Sequence, residues 1–271
     1  ATFHNADSVF ADTTGLTIRR NDFIGSTGAA QGVSAMVTRA FNTGFLINYT
    51  KGAWLANSKT VDRSGNANTL TENGTVTEGV VETSAELLGY SGFSTSNYLA
   101  RANDADFNFG TASYMFSAWV KSANVTATET ILTIAPASGA SYSLFWFTAA
   151  GNVALLLNDT SNSPSVTSSV AYDDGVWHKV DVIVEKTSAS AGELRMYVDG
   201  VLDNTTAGIT LNTMTLGSSL TRIGIRSDDT NAPATTLKIA LVHVSVTIPT
   251  ATQVRQMYDA EKGMFVASAE C

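Results

Sequence analysis

The sequence predicts an all-β protein: a two-sheet antiparallel sandwich closed by one short C-terminal helix. Three observations carry that expectation. Apolar residues recur with period two in segment after segment, turn signals separate these segments, and helical spacing with a cap stands out near the end of the chain. Of the 271 residues, 44% are hydrophobic and only 15% charged. That balance suits many strands joined by polar turns and supplies little for amphipathic surface helices.

The elements follow in order. From Tyr114 to Lys121, Phe116, Ala118 and Val120 fall on one face, with Met115, Ser117, Trp119 and Lys121 opposite. His178 to Val184 aligns Val180, Val182 and Val184, and Leu194 to Val198 aligns Leu194, Met196 and Val198. Asp199-Gly200 is a tight-turn signal, after which a strand resumes at Val201-Leu202. Residues 237–246 are apolar on both faces, as expected for a strand covered on both sides. Pro249 halts that strand, and Thr250 with Gln253 has capping-box spacing. Val254, Met257 and Tyr258 then share a helical face, and Gly263 stands where a C-terminal stop belongs. The strand-like pieces Leu16 to Arg19, Val33 to Val37 and Phe45 to Asn48 are too few to close a sandwich. Residues 1–48 are therefore read as part of a preceding or packed β unit, 49–265 as the sandwich, and 266–271 as the start of a linker or following region. Both ends look like cuts from something longer.

Composition excludes several classes of function. The net charge is -8 and the sixteen Lys and Arg never cluster, which argues against nucleic acid as a partner. No apolar run approaches the roughly 20 residues of a spanning helix, so membrane insertion is not expected. The only cysteine is the final residue, Cys271, and no disulfide can form within the chain.

A series of landmarks runs along the sequence: Gly52-Ala-Trp54, Asp62-Arg-Ser-Gly-Asn66, Ser96-Asn-Tyr-Leu99, Phe116-Ser-Ala-Trp-Val-Lys121, Asp174-Gly-Val-Trp-His178, Leu194-Arg-Met-Tyr-Val-Asp-Gly200 and Leu220-Thr-Arg-Ile-Gly224. Their order resembles the laminin-G-like (pentraxin-like) branch of the concanavalin A-like lectin/glucanase superfamily. The resemblance implies a two-sheet jelly roll from about residue 50 to 248, closed by the helix from 250 to 262. Leu237-Lys-Ile-Ala-Leu-Val-His-Val-Ser245, Pro249-Thr-Ala-Thr-Gln253 and Tyr258-Asp-Ala-Glu-Lys262 are similar to the closing strand and helix of such domains in large bacteriophage virion proteins. That likeness implies a virion location, with an extracellular or bacterial cell-surface one as the alternative. Trp119 and Trp177 are read as apolar plates that lock two sheets together, and His178 as a turn or ladder residue.

The superfamily includes glycoside hydrolases, which place two carboxyls about 5 Å apart for retaining hydrolysis. The E-x-D-x-E strand that would supply them is absent. Asp181, Glu185 and Glu193 are read instead as solvated edge charges, and the chain is expected not to be an enzyme. Sugar binding needs exposed aromatic faces, and Ser141-Tyr-Ser-Leu-Phe-Trp-Phe147 offers Tyr142 and Trp146 on one face, with Phe145 and Phe147 on the other. Relatives often hold calcium in edge loops. Here Asp62, Asn66 and Asn68 offer oxygens in one loop and Asp104 with Asp106 in a second, so the two loops must converge to hold Ca2+. Where many relatives place an acidic pair in the closing strand, this sequence has Ala240 and Leu241. Asp228-Asp229 reads as a polar turn.

The function expected is a non-catalytic carbohydrate- or surface-binding module of a virion appendage, with a glycan or host-surface ligand and other virion or surface proteins as partners. A homo-oligomer is compatible with that role. The alternatives are a purely structural protein-interaction module and, remotely, a glycoside hydrolase.

Overall fold

Period-two segments bury one face each, so they stack as sheets once turns reverse the chain between them. The computed structural model describes residues 50–102, 104–135, 141–216, 219–226 and 236–267. The strand-like pieces of residues 1–48 and Asp228-Asp229 lie outside them. In chain order the strands are β1 (Thr50–Trp54), β2 (Thr71–Asn73), β3 (Thr77–Val80), β4 (Leu88–Ser91), β5 (Tyr98–Arg101), β6 (Tyr114–Lys121), β7 (Glu129–Ala135) and β8 (Tyr142–Phe147). Then come β9 (Val153–Asn158), β10 (Ser165–Thr167), β11 (His178–Lys186), β12 (Ala191–Val198), β13 (Val201–Thr210), β14 (Leu220–Ile223) and β15 (Lys238–Ser245), and finally helix α1 (Ala251–Glu261).

The first sheet runs β13-β12-β11-β6-β15-β4-β3, with β1 also paired to β15, and the second runs β10-β9-β8-β7-β14-β5-β2. All pairings are antiparallel. Between the sheets lies the main core. Phe116, Ala118 and Val120 meet Phe145, Phe147 and Leu155, together with Val180, Val182, Val184, Leu194 and Met196. Full burial of each large apolar side chain contributes about 1.5–3 kcal/mol. The Asp199-Gly200 turn joins β12 to β13 with φ of 52° and 76° at its two residues. That double positive φ is the geometry an Asp-Gly hairpin turn favours.

The closing helix is capped as expected. Gln253 N–H donates to Thr250 Oγ1 at 3.3 Å, and Thr250 N–H donates to Gln253 Oε1 at 2.9 Å. Val254 and Met257 are buried against Met115, Ile183 and Tyr197 on the outer face of the first sheet. Gly263 does not end the helix through a left-handed cap. It lies inside a 3₁₀ turn, Lys262–Phe265, which brings Met264 and Phe265 onto the same sheet face.

The two tryptophans differ from expectation. Trp119 and Trp177 do not lock the sheets together, because both point outward from the first sheet into a separate cluster with Phe265. Trp119 stacks on Phe265 at 3.9 Å and on Tyr258 at 5.8 Å. The physical reason is alternation: Phe116 and Val120 take the inner face of β6, so Trp119 must take the outer one. The first sheet is therefore covered on both faces, and β15 is buried along nearly its whole length.

Candidate functional site

The second sheet has an outer face of its own. On β8, Phe145 and Phe147 enter the core, and Tyr142 and Trp146 lie half-buried on the opposite side. Register fixes their neighbours. Trp146 stands between Thr130 on β7 and Ala154 on β9, Leu144 between Thr133 and Leu156, and Tyr142 beside Asn158. On β10, Thr167 and Ser165 continue the Trp146 and Leu144 rows to the sheet edge. Thr130 and Ala154 beside Trp146 are buried, so along β8 the two rings are the part-exposed aromatics of the face. Sequence alternation placed the two rings correctly, but their cross-strand neighbours come from pairings that no local pattern announces.

The strands that flank the rings carry no outward charge among the described residues. The first charge in the Leu144 row is Arg222 on β14, which pairs with Thr133 on the same face and lays its guanidinium over the Tyr98 ring at 5.5 Å. Glu129, opposite Phe147, is fully buried behind the face. Burial raises its carboxyl above the usual range, opposed by hydroxyls of Ser122 at 2.6 Å and Thr236 at 3.3 Å.

The two oxygen-rich loops do meet. The Asn68 side-chain amide donates to Asp106 Oδ2 at 3.1 Å and to the Lys51 carbonyl at 2.6 Å. The carboxylates are already engaged by protein donors. Asp62 accepts from the N–H groups of Ala53, Ser64 and Asn68 and from the Ser64 hydroxyl. Asn66 reaches the Thr50 carbonyl. Asp106 pairs with Lys51 at 3.1 Å, and Asp104 pairs with Arg101 while accepting the Asp106 N–H. Those bonds hold the Asp104 carboxyl below its usual range, the Asp106 N–H first and Arg101 next, against burial. One buried side-chain oxygen of the five residues, Asn68 Oδ1, lacks a partner. Calcium takes six to eight oxygens, so this arrangement does not fit it. Among the described residues no three acidic, His or Cys side chains gather as a metal-holding group.

The carboxylates considered for hydrolysis lie on the first sheet, away from the aromatics. Asp181 is not a solvated edge charge: it is wholly buried beneath α1, with its Oδ1 3.1 Å from Lys179 Nζ. Glu185 and Glu193 face each other across β11 and β12 and share Arg195. Burying Asp181 required a partner the sequence reading missed. Lys179 Nζ also approaches Glu261 Oε2 at 3.3 Å, and the Trp119 indole N–H donates to the same oxygen at 2.6 Å.

Residues 93–255 match the laminin-G-type family model of the concanavalin A-like lectin/glucanase superfamily. The chain belongs to this superfamily. Its laminin-G-type Asp174-Gly-Val-Trp-His178 stretch works as a clasp. His178 contacts Asp199 through Nδ1 at 2.8 Å and Asp174 through Nε2 at 3.2 Å, tying the 174–177 turn to the β12–β13 hairpin. Burial alone would lower the imidazole's pKa, but Asp199 and Asp174 outweigh it and the net direction is upward.

Other superfamily-like folds appear among solved structures. The receptor-binding domain of botulinum neurotoxin C/D mosaic serotype aligns with a TM-score of 0.60 at 16% identity, over 79% of this chain and 52% of that one. The binding domain of Paraclostridial Mosquitocidal Protein 1 gives 0.62 at 10% identity, with 79% and 52% coverage. The ligand-binding domain of botulinum neurotoxin serotype D, solved with N-acetylneuraminic acid, gives 0.62 at 15%, with 79% and 51%. At such identities the likeness is one of fold, and this chain spans about half the length of those toxin domains. No curated protein matches the sequence.

Proposed function

We propose that this laminin-G-type domain is a non-catalytic carbohydrate- or surface-binding module that engages its ligand on the outer face of the second sheet, at Tyr142 and Trp146. One observation carries the reading: α1 and the 3₁₀ turn cover the first sheet, whereas the second sheet turns two half-buried aromatic rings outward. A ring with an accessible face is what the apolar side of a sugar stacks on, and partly exposed apolar surface marks contact sites. The toxin domains of similar fold are binding modules, which supports the same class of role. The carboxylates of β11 and β12 serve Lys179 and Arg195, which supports a non-enzymatic reading. We place the module in a bacteriophage virion appendage because of its closing strand and helix, with a bacterial cell surface as the alternative.

The test is a glycan array followed by titration of the hits against Trp146→Ala and Tyr142→Ala. Binding that both substitutions weaken, with unchanged circular dichroism, supports the reading. An array without hits overturns it in favour of a purely architectural module. One observation favours that second reading. Strand β13 is the outermost strand of its sheet, spans ten residues with Asp203 its only charge, and exposes Val201 and Leu202 by half or more. Edge strands accept a strand from a partner, and here the inner side is taken up by β10, with Asn204 donating to the Thr167 carbonyl and Thr206 to the Ser165 carbonyl.

A further inference from the structure

Resting on the reading that Tyr142 and Trp146 form the ligand face, we propose that the ligand is an uncharged, linear oligosaccharide that lies along β8 and covers both rings. The first support is spacing. The two rings sit four residues apart on one strand and one face, which separates their backbones by about 13 Å at the rise of an extended chain. A single pyranose reaches one ring. A short chain running with the strand reaches both, whereas a chain running across the strands meets only one aromatic. Between the rings Leu144 is buried, and Leu156 beside it is the part-exposed apolar side chain that a sugar's C–H face would meet, with nothing there for its hydroxyls.

The second support is charge. The chain carries sixteen basic and twenty-four acidic residues, yet among the described residues every outward position on β7, β8, β9 and β10 is uncharged. The polar groups at hand are neutral: Asn158 beside Tyr142, and Ser165 and Thr167 at the β10 rim. In the Leu144 row the first cation is Arg222, two strands away, or about 10 Å at ordinary strand spacing, and its guanidinium lies over Tyr98 on the far side. A sugar carboxylate set on Trp146 would lose water without gaining a cation, which costs several kcal/mol unless the group stays solvated. A chain of net charge -8 adds repulsion. Hydroxylated neutral sugars incur neither cost.

The experiment is isothermal titration of the whole chain with cello- and xylo-oligosaccharides of increasing length, and with a sialylated oligosaccharide, each at low and high salt. Affinity should rise with length until the chain spans both rings and then level off, with no dependence on salt. Trp146→Ala and Tyr142→Ala should each weaken the longest neutral ligand about tenfold, the loss of one stacked ring. They should also flatten the length dependence. A sialylated ligand that binds tighter, with affinity falling as salt rises, overturns the inference and leaves the face itself intact as a ligand site. So does a monosaccharide that binds as tightly as the longest chain. No binding of any of these glycans by the parent chain, or binding that neither substitution changes, overturns the ligand face together with the inference. Circular dichroism of both variants shows whether the fold is retained, so a folding defect cannot pass for lost binding.

Discussion

Lys179 carries the strongest stability prediction in the molecule. Its ammonium is buried between β11 and α1, 3.1 Å from Asp181, 3.3 Å from Glu261 and 3.2 Å from the Ser117 hydroxyl. Burial opposes its charge, and Asp181 and Glu261 outweigh burial and raise its pKa. Lys179→Met keeps the apolar stem and deletes the cation, leaving two buried carboxylates facing each other. Breaking a buried pair in this way costs about 3–5 kcal/mol. At about 2–4 °C per kcal/mol for a domain of this size, Tm should fall by roughly 6–20 °C. Differential scanning calorimetry measures it directly. Because burial raises the Glu261 carboxyl, the variant should regain stability as pH falls and that carboxyl takes up a proton. A triple variant, Lys179→Met with Asp181→Val and Glu261→Gln, removes every charge and keeps an oxygen for the Trp119 N–H. It should melt near the parent, since uncharged replacement of a buried ion network is often neutral. A Tm for Lys179→Met within about 2 °C of the parent would refute the reasoning, because it would mean that the carboxylates are solvated.

Two further outcomes follow from other sites. The His178 imidazole is raised by Asp199 and Asp174 against burial, so its contribution is complete below the unfolded histidine value of about 6.5 and is lost as pH rises through the folded value. Urea midpoints measured across neutral pH should therefore decline with rising pH in the parent, and His178→Gln should flatten that slope. The Asp62 and Asp106 loops are held by their own donors, so EDTA should leave Tm unchanged. A clear drop would reveal a bound ion that stabilises the folded state.

Much of the fold was legible in the sequence, and the reasons differ by element. Tyr114–Lys121 reads as a strand because four inward and four outward residues alternate without a break, and β6 has those bounds. Asp199-Gly200 reads as a turn because its positive-φ preference is local. The Thr250–Gln253 cap is local too. Trp119 was misplaced because alternation says which residues share a face but not what covers that face. Here the cover comes from α1 and Phe265, far along the chain. Asp181 was misjudged for the same reason, since a lone acid on a strand reads as solvated until Glu261 and Lys179 close over it. For the candidate site, the ring pair on β8 was visible and the neutral surround was not, because Thr130, Ala154 and Leu156 reach it through pairing alone.

The pairing of β1 with β15 has a mechanical consequence. Thr50, where the first strand begins, stands opposite Ser245, where the last strand ends. Tension applied through the two ends of the sandwich would therefore peel that pair open from one end, loading its hydrogen bonds one at a time and yielding at low force. Beyond Ser245, though, the chain continues into α1, whose final residue is pinned by Lys179 and Trp119. A pull from the C-terminal side meets this anchor before it reaches the strands. A domain threaded on a longer fibre would thus resist tugging through its helix and not through its sheets.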